Sequence, residues 1–297
     1  MVLPSHKARE VLENVAADAV EALRTRLRRL TGVVKERDAG GDRARGFDIE
    51  AEKIIIADLE RSLGCIYVVS EELGVMQTCS EPTYIAVVDP VDGSFNYSIG
   101  IPWSAVSIAL APFKRGATLR DIYAAVVSPI FMDSTYSFSV DEGSLVNGRR
   151  MKPGSPEDVV VGYFEHPVAL RVLEAFWKVY GSRTRVRSLG SAALENAYLV
   201  ATGGALGFMD VRSKLRNVDI AASYAIVKGV GGIITDLGGR GLEKVPIDRL
   251  VYGIPILSTL LPRIHQAMVR ACREVGVDST PTYRETPLNS PTYSLSS

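Results

Sequence analysis

Apolar positions recur along the chain with two different periods. Val11, Val15, Ala19, Leu23 and Leu27 fall at helical spacing and predict an amphipathic helix over residues 7–30. A second helix is expected in DIEAEKIIIADLERSL, from Asp48 to Leu63. Short β-type runs follow: CIYVVSEE, TYIAVVDP, SAVSIALAPF, IYAAVVSP and TYSFSV, closed by the turn-rich hairpin DEGSLVNGRRM. After KPGSPED the pattern changes to strand–helix alternation, with VVVGYFE, RTRVRS, ALGFMDVR, IITDL and GIPILST as strands. PVALRVLEAFWKVYG, SAALENAYLVAT, VDIAASYAIVKGVGG and LPRIHQAMVRACREVG are the intervening helices. The order predicts a layered α/β chain in two halves, 1–152 and 153–277, with a Ser/Thr/Pro-rich tail at 278–297.

Between the first two helices, TGVVKERDAGGDRARGFD reads as an exposed, mobile loop over 31–46, a candidate flap that orders with metal and substrate. Its Lys35, Arg37, Arg43 and Arg45 are interleaved with Glu36, Asp38 and Asp42 and lack an aromatic platform, so nucleic-acid binding is not expected. The 34 basic and 34 acidic residues cancel, and no apolar run reaches membrane-spanning length. Cys65, Cys79 and Cys272 are odd in number, widely spaced and without a CxxC, which predicts reduced cysteines and a cytoplasmic protein. His6, His166 and His265 are isolated and lack metal-ligand spacing.

The chemistry concentrates in YIAVVDPVDGSFNYSIG. A core strand ends in Asp89 and Asp92 around Pro90, and a second strand, upstream in the chain, ends in Glu71 and Glu72. If those strands are neighbours, carboxylates crowd one sheet edge, and like charges so close require cations. All-oxygen ligands favour a hard ion such as Mg²⁺. Gly93 and Ser94 open a helix whose N–H groups suit a phosphate. A turn or helix cap is the bland reading of DxxD alone, and Asp219 alone is an N-cap.

Together these segments resemble the inositol monophosphatase family of metal-dependent phosphatases, above all its archaeal branch with fructose-1,6-bisphosphatase activity. The matching segments are DPVDGSFNY, VDIAAS with GVGG, SEE, the D-x-x-x-E of FDIEAEKII, and RSLGSAA, spread over residues 7–275. Val218, Ser223 and Gly229 depart from the family pattern without touching a ligand position. The resemblance implies an αβαβα sandwich, usually a homodimer, with two or three Mg²⁺. It implies that Glu71, Asp89 and the Val91 carbonyl hold the first ion, and Asp89, Asp92 and Asp219 the second. Glu71 and Ser94 would orient the attacking water, and Asp48 would reach a third ion. Substrate contacts are expected from Asp92, Gly93, Ser94, Arg187, Ser191, Ala192 and Arg212. Arg212 and Arg187 would bind the end of the substrate remote from the metals, unless they serve structural salt bridges.

The expected activity is hydrolysis of a small sugar or polyol phosphate, inositol-1-phosphate or fructose-1,6-bisphosphate, by water attack. A nucleotide 3′-phosphatase or an NADP phosphatase of the same family is the alternative. A non-catalytic, RNA-associated member is disfavoured because the candidate ligands are all kept. The aspartyl-phosphate mechanism of D-x-D phosphatases does not suit a D-x-x-D spacing.

Overall fold

The computed structural model describes residues 2–30 and 42–285. Two long helices come first, α1 (Ser5–Leu30) and α2 (Asp42–Leu63). An eight-stranded sheet follows: β1 (Ile66–Ser70), β2 (Val75–Gln77), β3 (Tyr84–Asp92), β4 (Ala105–Pro112), β5 (Ala124–Pro129), β6 (Tyr136–Ser139), β7 (Gly143–Val146) and β8 (Arg149–Arg150). Its spatial order is β2-β1-β3-β4-β5-β6-β7-β8, and the short α3 (Ser94–Ile99) lies between β3 and β4.

The second half adds β9 (Val159–Gly162), α4 (Pro167–Tyr180), β10 (Arg185–Arg187), α5 (Ala192–Leu194), β11 (Gly207–Arg216), α6 (Asn217–Gly229), β12 (Ile233–Thr235), β13 (Val251–Thr259), α7 (Pro262–Val275) and β14 (Arg284–Glu285). Its sheet runs β10-β9-β11-β13-β12, with β14 on β13.

Side-chain parity on the central strands sets the layers. In β3, Tyr84, Ala86 and Val88 pack with Leu12 and Ala16 of α1 and Ile55 and Leu59 of α2, whereas Ile85 and Val87 pack with Ile220 and Ala221 of α6. All nine residues of β3 are buried, the composition expected of a strand covered on both faces. On the far side of α5 and α6, Phe208, Ile254 and Ile256 of the second sheet close the same core. Val160, Met209 and Leu257 then turn outward onto α4 and α7. The result is five layers, αβαβα. No helix among the described residues is long and apolar enough to cross a membrane.

Three sequence expectations change. The helix placed at 48–63 begins at Asp42, so 42–46, read as loop, is helical; Arg and Ala are strong helix formers, and the sequence there has both. The rest of the proposed flap, 31–41, lies outside the described residues. The helix expected at SAALENAYLVAT is a single α turn followed by a π-helical stretch, Glu195–Val200.

The cysteines are the clearest correction. Cys65 and Cys79 form a disulfide across Cα atoms 5.6 Å apart, while Cys272 is free and buried. The cause is register: β1 and β2 pair antiparallel with Tyr67 opposite Gln77, so Cys65 and Cys79 face each other two residues further out. The turn of that hairpin carries Glu71 and Glu72.

Candidate active site

β1 and β3 are parallel neighbours, with Ser70 beside Val88. Val69 shares the α6-facing side with Ile85 and Val87, so two residues on, Glu71 and Asp89 continue onto that side at the carboxyl ends of their strands. Ser70 faces the other way, and its hydroxyl bonds Glu52 on α2. Asp219 sits in the first turn of α6, where its Oδ2 accepts the Arg216 backbone N–H at 2.7 Å. Oxygens of Glu71, Asp89 and Asp219 all lie within 4.8 Å of one another.

Burial acts first on this cluster. It pushes the Asp89 carboxyl well above the ordinary carboxylate range, and Glu71, Asp92 and Asp219 push it further. Asp219 is raised by burial and by Glu71, against the pull of Arg216. A divalent cation among these oxygens would remove the conflict, and an all-carboxylate donor set suits a hard ion. The residues therefore fit the metal that the sequence implies. Asp89 Oδ1 also accepts the Val91 N–H at 3.1 Å, which fixes its orientation.

Asp92 has a different set of partners. Its carboxylate accepts the N–H groups of Ala192 at 3.1 Å, Ala193 at 2.8 Å and Leu194 at 3.2 Å, and the Ser191 hydroxyl. It thus caps the helical segment beginning at α5. Burial raises its pKa to about 7, with the Ser191 hydrogen bond opposing and Asp219 adding to the rise. Ser191 and Ala192 are fully buried and direct these donors at Asp92, so their expected place on the substrate is taken by a carboxylate. Gly93 and Ser94 are half-buried at the start of α3, with Gly93 at φ 86.

Asp48 and Glu52 line the other side of the Glu71–Glu72 turn. Burial, then Glu72, Glu71 and Glu52, raise the Asp48 carboxyl to about 8, and its buried Oδ1 has no hydrogen-bond partner among the described residues. Glu52, raised by burial to about 7, accepts the N–H of Leu73 at 3.2 Å and of Glu72 at 3.3 Å.

Arg212 is held in a pairing that the sequence left open as its second reading. It reaches Asp210 Oδ2 at 3.0 Å and Glu165 Oε1 at 2.5 Å, and its guanidinium carbon lies 3.5 Å from the Tyr163 ring centroid. Arg187 is exposed on the edge strand β10 and donates to the Val186 carbonyl.

Sequence reasoning missed two groups. Arg216 donates to both Glu71 and Asp219, and the signal was available in R-x-x-D at a helix start. Glu195, fully buried, accepts N–H groups of Leu189 and Ser191 at 3.4 Å, and burial, then Asp92, raises it to about 8. A lone glutamate in ALENAYLV gives no such warning.

The model of the inositol monophosphatase family matches residues 5–274. The chain belongs to the inositol monophosphatase family. It is 35% identical over 227 residues to an inositol-1-monophosphatase of Aeropyrum pernix, covering 75% of this chain and 81% of that one. A fructose-1,6-bisphosphatase/inositol-1-monophosphatase of Methanocaldococcus jannaschii is 38% identical over 205 residues, 68% of this chain and 75% of that one. Among solved structures, a Pyrococcus horikoshii protein described as similar to inositol-1 monophosphatase superposes with TM-score 0.68 at 27% identity, covering 89% of this chain and 98% of its own. Family membership makes the chain a metal-dependent phosphoric monoester hydrolase, and the cluster of Glu71, Asp89 and Asp219 is compatible with a bound cation.

Proposed function

We propose that the chain hydrolyses small sugar or polyol phosphates, inositol-1-phosphate and fructose-1,6-bisphosphate, with Mg²⁺ held by Glu71, Asp89 and Asp219. The observation that carries this reading is the convergence of those three carboxylates, from the turn after β1, from β3 and from α6, within 4.8 Å. Mg²⁺ at this cluster, in two or three sites, would supply a Lewis acid and an activated water. Asp92, the Val91 carbonyl and, further out, Asp48 complete the proposed ligand set. Glu71 and the Ser94 hydroxyl are assigned to the water, and the start of α3 at Gly93 and Ser94 to the phosphate.

The relatives named for both activities support the pair of substrates. For the remote end of the substrate we propose Arg212, together with Arg187. Glu165, whose side chain is 56% exposed, shares Arg212 with the buried Asp210 and is the partner that a second phosphate can displace. Assays at saturating Mg²⁺ on inositol-1-phosphate, fructose-1,6-bisphosphate, a nucleotide 3′-phosphate and NADP test the assignment. Turnover confined to either nucleotide would overturn it. Glu165→Gln should lower KM for the bisphosphate more than for the inositol ester.

A homodimer is proposed as well. Phe95, Ile99 and Ile101 on and after α3 are exposed apolar residues beside the site, and sedimentation of the full chain checks the stoichiometry. The Cys65–Cys79 bond removes the argument for the cytoplasm from reduced cysteines. A cytoplasmic location is proposed on the substrate class instead, because phosphorylated metabolites are made and used there.

A further inference from the structure

Arg216 stands at the end of β11, and its guanidinium enters the carboxylate cluster. Nη2 donates to Asp219 Oδ1 at 3.1 Å and to Glu71 Oε1, and Nε lies 3.3 Å from Asp219 Oδ1. Glu71 is 145 residues away in the chain, so this one fork ties the two halves together at the site. The side chain is only 25% exposed. A guanidinium stays protonated at any working pH, so the charge is fixed.

We propose that Arg216 is a resident counter-cation: it holds Glu71 and Asp219 together before divalent ions bind, and it competes with those ions for the same carboxylates. The proposal rests on the metal reading above and adds to it what sets the loading concentration. The physical case has three parts. The fork contacts two of the three carboxylates that form the candidate ligand set, so a cation held there would have to share their lone pairs with the guanidinium. A fixed positive charge a few ångströms from an incoming cation repels it, and the repulsion is strong where water is excluded. An exposed Arg–carboxylate pair would be too weak to matter, but this one is largely buried. If Arg216 only positioned the ligands, its removal would weaken metal binding. Competition predicts the opposite sign.

The test is calorimetric titration of the chelator-stripped full chain with MgCl₂ alone, beside melting in EDTA. Arg216→Met keeps the side chain's length and removes its charge. It should lower the half-saturating Mg²⁺ concentration by about tenfold, as loss of a near cation demands, and lower the melting temperature in EDTA. Arg216→Lys keeps the charge and should stay within about threefold of the wild type, with the fork geometry lost. Unchanged or weaker Mg²⁺ binding by the methionine variant overturns the proposal, as does a lysine variant that tightens equally. Should the methionine variant fail to fold, the wild type still decides the question. Its Arg216 Nε–H resonance in ¹⁵N-labelled protein, assigned by its loss in Arg216→Lys, should shift as Mg²⁺ saturates, and a resonance indifferent to Mg²⁺ refutes competition. Wild-type protein that binds no Mg²⁺ by calorimetry sinks the metal reading itself, a distinct outcome.

Discussion

Asp89→Asn separates the electrostatic cost of the site from its use. Asp89 is 1% exposed, and its oxygens sit within 4.8 Å of those of Glu71 and Asp219. Two like charges at about that distance repel by about 3 kcal/mol at an effective dielectric near 20. Arg216 offsets part of this, so a net gain of about 1–3 kcal/mol is expected when the charge is removed from the metal-free protein. Asparagine keeps an oxygen that can accept the Val91 N–H. In EDTA at pH 8 the variant should therefore melt a few degrees above the wild type, at roughly 2–4 °C per kcal/mol for a chain of this class. Mg²⁺ at about a hundredfold above its Kd stabilises the wild type by about 2.7 kcal/mol and should leave the variant unmoved, reversing the order. Phosphate release should fall by about three orders of magnitude, since a cation's charge stabilisation is worth several kcal/mol. Melting curves with and without Mg²⁺, paired with a phosphate assay, report all three. A variant less stable than wild type in EDTA refutes the charge argument, and full Mg²⁺ stabilisation of the variant refutes Asp89 as a ligand.

Glu195 supplies a pH signature away from the cluster. Its pKa rises from the ordinary 4.5 to about 8 on folding, so the folded state keeps a proton that the unfolded chain releases, and stability falls as pH rises between those values. Glu195→Gln should flatten that slope in urea titrations and add about 2 kcal/mol at pH 8 in EDTA. Cys65→Ser opens a loop spanning 14 positions and should cost about 2–4 kcal/mol, with Mg²⁺ affinity lowered because the hairpin carries Glu71; an equal melt in reductant and oxidant counts against it. Gly93→Ala forces a side chain into φ 86, where its Cβ would meet the Trp103 carbonyl at 3.0 Å and the Gly190 carbonyl at 3.1 Å. A loss of about 1–3 kcal/mol and a roughly hundredfold drop in kcat are expected by urea melting and steady-state assay.

Most strands along the chain, and the acidic residues at the ends of two of them, were legible because each rests on local pattern. The apolar run ending at Asp89 and the one ending at Glu71 required only that the two strands be neighbours, and they are. What was hidden depends on relations across the fold. The Cys65–Cys79 bond follows from a hairpin register that β2, three residues long, hardly announces. β11 continues past the expected ALGFMDVR to Arg216 because a register shift between Asp210 and Leu215, with Ser213 at φ 53, interrupts the alternation. Arg216 closes β11 just before α6 and Glu195 opens a π-helical stretch, and tertiary packing brings the first to Glu71 and the second to the Ser191 N–H.

Register also explains why the acidic pair is spaced by three around a proline. In a regular strand, residues three apart point to opposite faces, so Asp92 would face α1 and α2 while Asp89 faces α6. In β3 the pairing with β4 slips: Asp89 lies opposite Ser107 and Asp92 opposite Ala105, three steps on one strand against two on the other. The extra residue is a bulge, and it returns Asp92 to the face that Asp89 uses. Pro90 suits this place, since it has no N–H to contribute to a ladder that the bulge already interrupts. On that shared face the two carboxylates diverge. Asp89 turns to Glu71 and Asp219, and Asp92 reaches across to the N–H groups of Ala192, Ala193 and Leu194. Asn96, one turn further on, donates to the carbonyls of Trp103 at 2.8 Å and Leu189 at 2.6 Å. The same short segment therefore supplies the candidate cation ligand and pins the first half of the chain to the second, which is why the cluster can draw Asp219 from one half and Glu71 from the other.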